Sequence, residues 1–349
     1  MPSRLITRSF LAVALILIAI EVASRFWMTD IFSGRFEYGY HPTAGFIEHP
    51  DGSIELRRTG GRHFYPQQFN AVRPAGTLRI ITIGDSVSRG ATLEQSYPWL
   101  LGEDLRRDGY AVESLNFSVP GYGARRKLIV LRQALHYQPD LVVLHLGLSN
   151  EFEDERDAAR ARDAASWHPR NWLMKSYLLK RLYEYKTENV FLRWLPGEIR
   201  AQTDLSDAID EATANRSEAR RVAWRAAFTQ ATDQSLRMVD ARQIPLILVP
   251  RVVLAPAGQP PGLNDDGVTA LVDGLIAALP RGDGAAPGEP QARITWLQPR
   301  DVLGPNPSPE LFGGDRIHWK PEAHQMFAKA LAKRIEAERP RESAGPQKQ

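Results

Sequence analysis

A serine stands directly behind a short apolar run in the stretch RIITIGDSVSRG, residues 79–90. Gly84 permits a sharp bend at this point, and Ser86 follows where a buried strand would end. A serine in that position can cap the N-terminus of a helix. It can also act as a nucleophile, because α/β proteins place ligands at the carboxyl edge of a parallel sheet. The tripeptide Gly-Asp-Ser alone is compatible with both interpretations, and in both Asp85 serves as a hydrogen-bond acceptor within the turn.

Acyl transfer by a serine also needs a base, an orienting carboxylate and oxyanion donors, and the chain offers a candidate for each. Gly121, in NFSVPGYG, can bring its backbone N–H close to a ligand. Asn150, in GLSN, carries a side-chain amide donor. In DRIHWKPEAH, Asp315 and His318 are three residues apart, so the carboxylate can reach an imidazole nitrogen across one turn. Each residue also has a structural explanation, as a turn glycine, a loop acceptor or a helix residue.

The elements that must position these residues alternate between strands and helices. The short apolar runs typical of strands buried on both faces are Leu78–Ile83, Val112–Phe117, Leu141–Leu146, Pro245–Val249 and Arg293–Leu297. Helices are predicted at Gln95–Asp108, Ala124–Tyr137, Ser217–Arg242 and Pro321–Glu338. This alternation predicts an α/β fold with a parallel sheet covered on both faces. The candidate groups at Ser86, Gly121 and Asn150 then follow successive strands.

Composition excludes several classes of protein. The 349 residues are 43% hydrophobic and 24% charged, which is ordinary for a globular chain. The net charge of +3 is small, and without zinc-finger spacing or an RNP-like aromatic run we expect no nucleic-acid partner. The chain contains no cysteine, which removes thiolate catalysis and cysteine-based metal sites. His63, His136, His145 and His168 have no carboxylate or histidine at metal-ligand spacing, so we expect no metal and no other cofactor.

The first 28 residues predict a membrane anchor. Arg4 and Arg8 precede an unbroken apolar run, residues 10–20, and the longer segment Leu5–Trp27 has roughly the 20-residue length that spans a bilayer. The basic residues favour the cytoplasm for the N-terminus, which would place the catalytic domain on the periplasmic side of the inner membrane. A cleaved signal peptide is the alternative, although Val22-Ala23-Ser24 matches the A-x-A cleavage pattern poorly. A buried soluble helix is a third.

The remaining segments predict the following organisation. Residues 29–77 form a connector with a hairpin near GSIELRRTGGRHFY. Residues 78–338 form the main domain, with an insert at about 151–215 that begins acidic and continues rich in aromatic residues. Those aromatics would pack a small helical subdomain or form a substrate platform. The tail, residues 339–349, is predicted to be disordered.

The chain resembles the SGNH/GDSL hydrolase superfamily, and in particular its membrane-anchored bacterial members, over residues 78–335. The family's blocks occur in the family's order, as GDSVSRG, NFSVPGYG, GLSN and DRIH. Any one block is a weak signal, but four in order at the edges of predicted elements are a strong one. The resemblance implies a flavodoxin-like three-layer α/β/α sandwich without a metal. Two positions depart from the family pattern: Glu151, where many members have Asp, and Ala323-His324, where the block often reads Gly-His.

The resemblance also implies a role for each site residue. Ser86 would be the nucleophile, His318 the general base, and Asp315 the carboxylate that orients the imidazole. The amides of Ser86 and Gly121 and the side chain of Asn150 would form the oxyanion hole. The implied activity is hydrolysis of a small-molecule, polysaccharide or lipid ester through an acyl-enzyme. The alternatives are O-acyl transfer to or from an envelope polysaccharide and a non-catalytic envelope scaffold.

Three arginines are candidates for binding an anionic substrate. Arg89 lies just past the nucleophile turn, and Arg125 and Arg126 open the helix that follows Gly121. A helix N-terminus already carries partial positive charge, so arginines there do little for the stability of the helix itself. The competing interpretation is internal pairing with the acidic run that begins at Glu151.

Overall fold

The computed structural model describes residues 2–27, 39–56, 58–59, 62–167, 176, 178, 217–256, 258, 262–279 and 293–339. The strands, in chain order, are β1 (Phe46–Glu48), β2 (Ser53–Leu56), β3 (Arg58–Thr59), β4 (Arg62–His63), β5 (Gln68–Asn70), β6 (Leu78–Ile83), β7 (Val112–Asn116), β8 (Leu141–Leu146), β9 (Leu246–Pro250), β10 (Val253–Leu254), β11 (Leu263–Asn264) and β12 (Ile294–Trp296). The helices are α1 (Pro2–Trp27), α2 (Ser86–Arg89), α3 (Tyr97–Arg107), α4 (Ala124–Ala134), α5 (Glu151–Ala165), α6 (Glu218–Asp240), α7 (Val268–Ala277), α8 (Pro299–Leu303) and α9 (Pro321–Glu338).

A five-stranded parallel sheet of order β12-β9-β8-β6-β7 lies at the centre of the structure. This confirms the predicted α/β class and the predicted parallel sheet. Counted along the chain and read from the β7 edge, the strand order is 2-1-3-4-5, the doubly wound order of flavodoxin-like sheets. The order reverses between β6 and β8, and ligands of such sheets bind outside the strand ends at that switch point.

Helices cover both faces of this sheet because successive strand residues point to opposite sides. Ile80 and Val143 pack into one buried cluster with residues of α3 and α9. Ile81 and Val142 pack into the other cluster with residues of α4, α6 and α7. Burial on both faces explains why these strands are continuous apolar runs rather than alternating ones.

The predicted connector contributes its own β-structure to the core. β1, β2 and β5 form an antiparallel sheet, and β3 and β4 pair as a hairpin within the predicted stretch. Phe46 and Phe69 contact Phe117, at the end of β7, with ring centroids 4.8 and 5.5 Å apart. These residues therefore share one buried cluster with the central sheet.

Arg79 fastens this segment to the central sheet. Its side chain is fully buried on β6 and pairs with the Glu113 carboxylate at 2.8 Å. Its guanidinium also donates to the carbonyl oxygens of Asn70 at 2.9 Å, Ala71 at 3.2 Å and Tyr137 at 2.6 Å. One buried cation thus satisfies backbone acceptors from β5, from the residue after it and from the end of the α4 segment.

The N-terminal segment is the helix α1, and its apolar side chains from Phe10 to Val22 are largely exposed. Within the described parts of the chain, no helix has both the length and the apolarity needed to cross a membrane. The span predicted at Leu5–Trp27 is therefore not supported, and the periplasmic location of the domain stays a prediction. Of the predicted insert, residues 168–216 lie outside the described residues except for 176 and 178. The predicted disordered tail lies outside them beyond Arg339.

Replacing Arg79 with Met should lower the free energy of unfolding by about 3 kcal/mol, because buried carbonyl oxygens lose their donor and Glu113 loses its partner. Chemical denaturation followed by circular dichroism measures this. The matched control is Arg106→Met, since Arg106 pairs with Glu103 between side chains that are 42% and 46% exposed. That change should cost less than about 1 kcal/mol. Equal losses in the two variants would contradict the anchoring role of Arg79.

Candidate active site

The turn between β6 and α2 places Ser86 at the first position of the helix. Asp85, not Ser86, is the N-cap, and its carboxylate accepts a hydrogen bond from the Val87 amide at 3.0 Å. The Ser86 hydroxyl is therefore not used for capping. At Gly84, a Cβ atom would lie 2.0 Å from Ser88 Oγ, so only glycine fits this turn. The sequence alternative in which Ser86 caps the helix is thus wrong.

Ser86 and His318 meet although they are far apart in the sequence. Nε2 of His318 lies 2.7 Å from Oγ of Ser86, and Nδ1 forms a short hydrogen bond with Oδ2 of Asp315. A carboxylate accepts but does not donate, so it selects the tautomer with a proton on Nδ1. Nε2 is then left with a lone pair that accepts the proton of the Ser86 hydroxyl.

The loop that carries Asp315 and His318 is closed on itself. Its ends pair through an antiparallel bridge between Phe312 and Trp319, and the Gly313 amide donates to the His318 carbonyl at 2.7 Å. Within it, Arg316 adopts a left-handed conformation with φ of +61°. This turn brings the carboxylate of Asp315 onto the imidazole three residues later.

Asp315 is held in its charged form. Burial raises the pKa of its carboxyl, but hydrogen bonds from the His318 ring and from the amides of Ile317 and His318 outweigh this and lower it to about 2. Both amides lie 3.0 Å from Oδ1. The carboxylate is therefore ionised at neutral pH and can stabilise a positive charge on the imidazole.

The three predicted oxyanion donors surround the Ser86 turn. Gly121 has a φ of +70°, and the Val119 amide donates to the carbonyl of Gly84 at 3.2 Å, which ties the Gly121 turn to the Ser86 turn. Among the described residues, the backbone amides of Ser86 and Gly121 donate to no acceptor. Both amides can therefore serve a ligand.

Asn150, in the 3-10 turn after β8, is buried behind the same turn. Its Nδ2 donates to Oδ2 of Asp85 at 2.7 Å and approaches the Tyr122 carbonyl at 3.3 Å. One amide hydrogen is thus committed to a carboxylate, and the second makes the longer hydrogen bond to the Tyr122 carbonyl, which an oxyanion would have to replace. That second hydrogen is the one that an oxyanion can take.

Lys127 is a site residue that the sequence analysis missed. Its ammonium is buried and lies 3.1 Å from Oδ2 of Asp85 and 2.8 Å from the carbonyl of His145. Burial raises the pKa of Asp85, but the Lys127 charge leads the opposing contributions, which hold it well below its usual range. The signal was present in the sequence, since Lys127 stands three residues after Ala124 and four before Leu131, on the apolar face of α4.

Arg126 does not face a substrate. It is fully buried, and its guanidinium pairs with Asp154 and, at 2.8 Å, with Asp157. It also donates to the Gly121 carbonyl at 2.5 Å and lies 4.4 Å from the centre of the Tyr122 ring. For this arginine the structure shows internal pairing with the acidic segment, which was the alternative to binding an anionic substrate. The guanidinium of Arg126 is therefore occupied by internal partners.

The other two arginines remain partly exposed. Arg89 lies 3.6 Å from the centre of the Tyr65 ring and donates to the His63 carbonyl at 3.2 Å. Its Nη2 also lies 3.4 Å from Nε2 of His63. Arg125 is half-buried at the start of α4. A substrate role for Arg89 and Arg125 stays a prediction.

The two departures from the family pattern are both buried. Oε1 of Glu151 accepts a hydrogen bond from the Ala124 amide at 2.7 Å, so this residue caps α4 from a neighbouring element. Burial, followed by the Asp154 charge, raises the pKa of Glu151 to about 7. At the other departure, Nδ1 of buried His324 accepts from the Tyr97 amide at 3.3 Å, and burial lowers the pKa of this histidine to about 4.

Glu151 should make the stability of the protein depend on pH. Because its folded pKa lies above the ordinary value, the folded state holds a proton that the unfolded state releases, and the contribution of Glu151 to stability falls as pH rises from about 4.5 to 7. The variant Glu151→Gln keeps the oxygen that caps Ala124 and carries no charge. It should be more stable than the parent at pH 8 by about 1 to 3 kcal/mol and closer to it at pH 5. Melting temperatures across this range measure the gap, and a gap independent of pH would contradict the assignment.

Comparison with known proteins gives matches among solved structures only. No family model matches the sequence, and no curated protein matches it. TesA is 14% identical, with a TM-score of 0.41 over 74% of this chain and 98% of its own. A lipolytic protein of the G-D-S-L family from Desulfitobacterium hafniense is 12% identical, with a TM-score of 0.40 over 73% of this chain and 98% of its own. A mutant of Axe2, an acetyl-xylooligosaccharide esterase from Geobacillus, is 12% identical, with a TM-score of 0.43 over 74% of this chain and 93% of its own. The solved structures similar to this chain include, besides the G-D-S-L family protein, the esterase AlinE4 of the SGNH-hydrolase family, which is 15% identical.

Proposed function

We propose that this chain is an SGNH/GDSL enzyme that hydrolyses esters through a covalent intermediate on Ser86. The observation that carries the proposal is the continuous hydrogen-bonded chain from Asp315 through His318 to the Ser86 hydroxyl. It ends at the switch point of the sheet, beside two backbone amides without an acceptor among the described residues. A nucleophile, a base, an orienting carboxylate and oxyanion donors together are what acyl transfer requires.

In the first half of the reaction, Oγ of Ser86 attacks the ester carbonyl carbon while its proton moves to Nε2 of His318. The carbonyl oxygen becomes an oxyanion, which accepts hydrogen bonds from the amides of Ser86 and Gly121 and from Asn150. The ester C–O bond then breaks, and His318 returns the proton to the leaving alcohol. Water repeats the sequence on the acyl-enzyme, with His318 again as base, and releases the acid and free Ser86.

Asp315 supports this cycle without taking the proton itself. Its pKa of about 2 keeps it ionised, so it stabilises the imidazolium that exists between the two proton transfers. It also fixes the tautomer in which Nε2 can accept. Hydrogen bonds to the backbone on Oδ1 hold the carboxylate in place while Oδ2 contacts the imidazole.

A second acceptor, a sugar or other hydroxyl in place of water, uses the same residues. One observation favours access for it: the side chains of His318 and Asp315 are 45% and 47% exposed, so the base side of the site is open. The test is to form the acyl-enzyme from p-nitrophenyl acetate with and without a soluble glycan, and to quantify acetate and acetylated glycan. Acetylated glycan formed by the parent and not by Ser86→Ala supports transfer. Acetate as the only product supports hydrolysis.

Ser86→Ala should reduce the turnover of p-nitrophenyl esters by at least about three orders of magnitude, because the members of such a unit act together. The fold should persist, since only a hydroxyl is removed. Ser217→Ala is the matched control, because this serine caps α6, a helix that contributes no residue to the proposed site. Retention of parental turnover by Ser86→Ala would refute the proposed function.

Asp315→Asn should lower kcat by roughly 10³- to 10⁴-fold, because an amide can leave the imidazole in the wrong tautomer and does not stabilise its charge. In the parent, protonation of Asp315 should not limit activity above about pH 4, since its pKa is about 2. Steady-state rates between pH 4 and 9 measure both effects. An Asp315→Asn variant within tenfold of the parent at every pH would show that the carboxylate has no such role.

A further inference from the structure

Arg251 reaches the oxyanion side of the site from the loop directly after β9, and it belongs to none of the four sequence blocks. Its Nη1 donates to Oγ of Ser149 at 2.7 Å and forms a short hydrogen bond with Oδ1 of Asn150. In the described parts of the chain, no carboxylate forms a direct ion pair with this guanidinium. Its Nη1 hydrogen bonds are therefore directed at Ser149 and at the amide oxygen of Asn150.

The position of Arg251 is fixed at three points along the residue. Its backbone amide donates to the Leu146 carbonyl at 2.6 Å, at the end of β8. Its side-chain stem lies over Gly147, where a Cβ atom would come within 2.8 Å of Cδ and 2.9 Å of Cβ of Arg251. The glycine of GLSN thus makes room for this arginine. The guanidinium then contacts the last two residues of the same block.

Asn150 is held between groups of opposite hydrogen-bonding character. The carboxylate of Asp85 accepts from Nδ2 at 2.7 Å, and the guanidinium of Arg251 donates to Oδ1. A guanidinium has no acceptor and a carboxylate has no donor. Rotating the amide by half a turn would therefore place its NH₂ group against the Arg251 donors and its oxygen against the Asp85 carboxylate. The two charged partners therefore leave one orientation of the amide, in which the second N–H is directed at the carbonyl of Tyr122, the residue after Gly121.

We propose that Arg251 is a positioning residue for the reaction: it holds and polarises the Asn150 amide so that Nδ2 donates more strongly to the oxyanion. Hydrogen bonds in series polarise one another, and a charged donor on the amide oxygen draws electron density from the amide nitrogen. The effect grows as negative charge develops on the substrate oxygen, so it stabilises the transition state more than the ground state. This inference rests on the proposed function.

The test is a double-mutant cycle on Arg251 and Asn150 with p-nitrophenyl acetate. Arg251→Met should lower kcat and kcat/KM together, by about 10- to 100-fold, with KM changed less than threefold. Asn150→Ala should lose at least as much, and the double variant should be no more than twofold slower than Asn150→Ala alone, because Arg251 acts through the amide. Arg251→Lys keeps the charge and one donor, so it should lose less than Arg251→Met. If Arg251→Met does not fold, Arg251→Lys replaces it in the double-mutant cycle.

The control is Arg132→Met. Arg132 also donates to a side-chain amide oxygen, that of Gln234 at 3.0 Å, but on the exposed face of α4. It should leave kcat unchanged. The inference would be overturned if the kcat loss in the double variant equalled the product of the two single losses. A rise in KM alone, or a kcat of Arg251→Met within twofold of the parent, would overturn it as well. Parental activity in Ser86→Ala would instead refute the proposed function and is measured separately.

Discussion

The buried carboxylate of Asp85 is the interaction on which the site depends. It accepts hydrogen bonds from the Val87 amide, the Lys127 ammonium and the Asn150 amide, which belong to α2, to α4 and to the turn after β8. A buried charge costs several kcal/mol unless it is paired, and Lys127 supplies the pairing. The Asp85 carboxylate therefore fixes the nucleophile turn and the Asn150 side chain relative to each other. The surrounding strands contribute to the site only through the residues that follow their carboxyl ends.

A second set of buried charges shapes the other side of the oxyanion hole. Asp154 accepts from the Gly123 amide at 2.9 Å and pairs with Arg126, which in turn donates to the Gly121 carbonyl. Glu151 caps the same helix through Ala124. The loop that presents the Gly121 amide is thus held by charged side chains from α4 and α5 rather than by apolar packing alone. Arg251 adds a further charged side chain at the Asn150 amide.

The sequence predicted what depends on local pattern. β6, β8 and α9 have the predicted bounds, because continuous apolar runs and a proline at a helix start are local signals. Three of the four blocks come together because strand ends of a parallel sheet meet at one edge, and the loop before α9 brings the fourth to Ser86. What local pattern could not decide is the partner of each charge. For Arg126 the sequence left open an anionic substrate or the acidic run, and the fold places Asp154 and Asp157 beside it. Arg251 lies in no block at all. The packing of β1 to β5 against Phe117 likewise depends on contacts between distant segments.

The central claim is that Ser86 is an activated nucleophile because His318 and Asp315 lie behind it. The most direct measurement is intact-protein mass spectrometry after brief exposure to a fluorophosphonate, followed by peptide mapping of the adduct. The account predicts a single adduct on Ser86 that forms much more slowly in His318→Ala and is absent in Ser86→Ala. A parent protein that stays unlabelled, or one that carries the adduct on another residue, would contradict it.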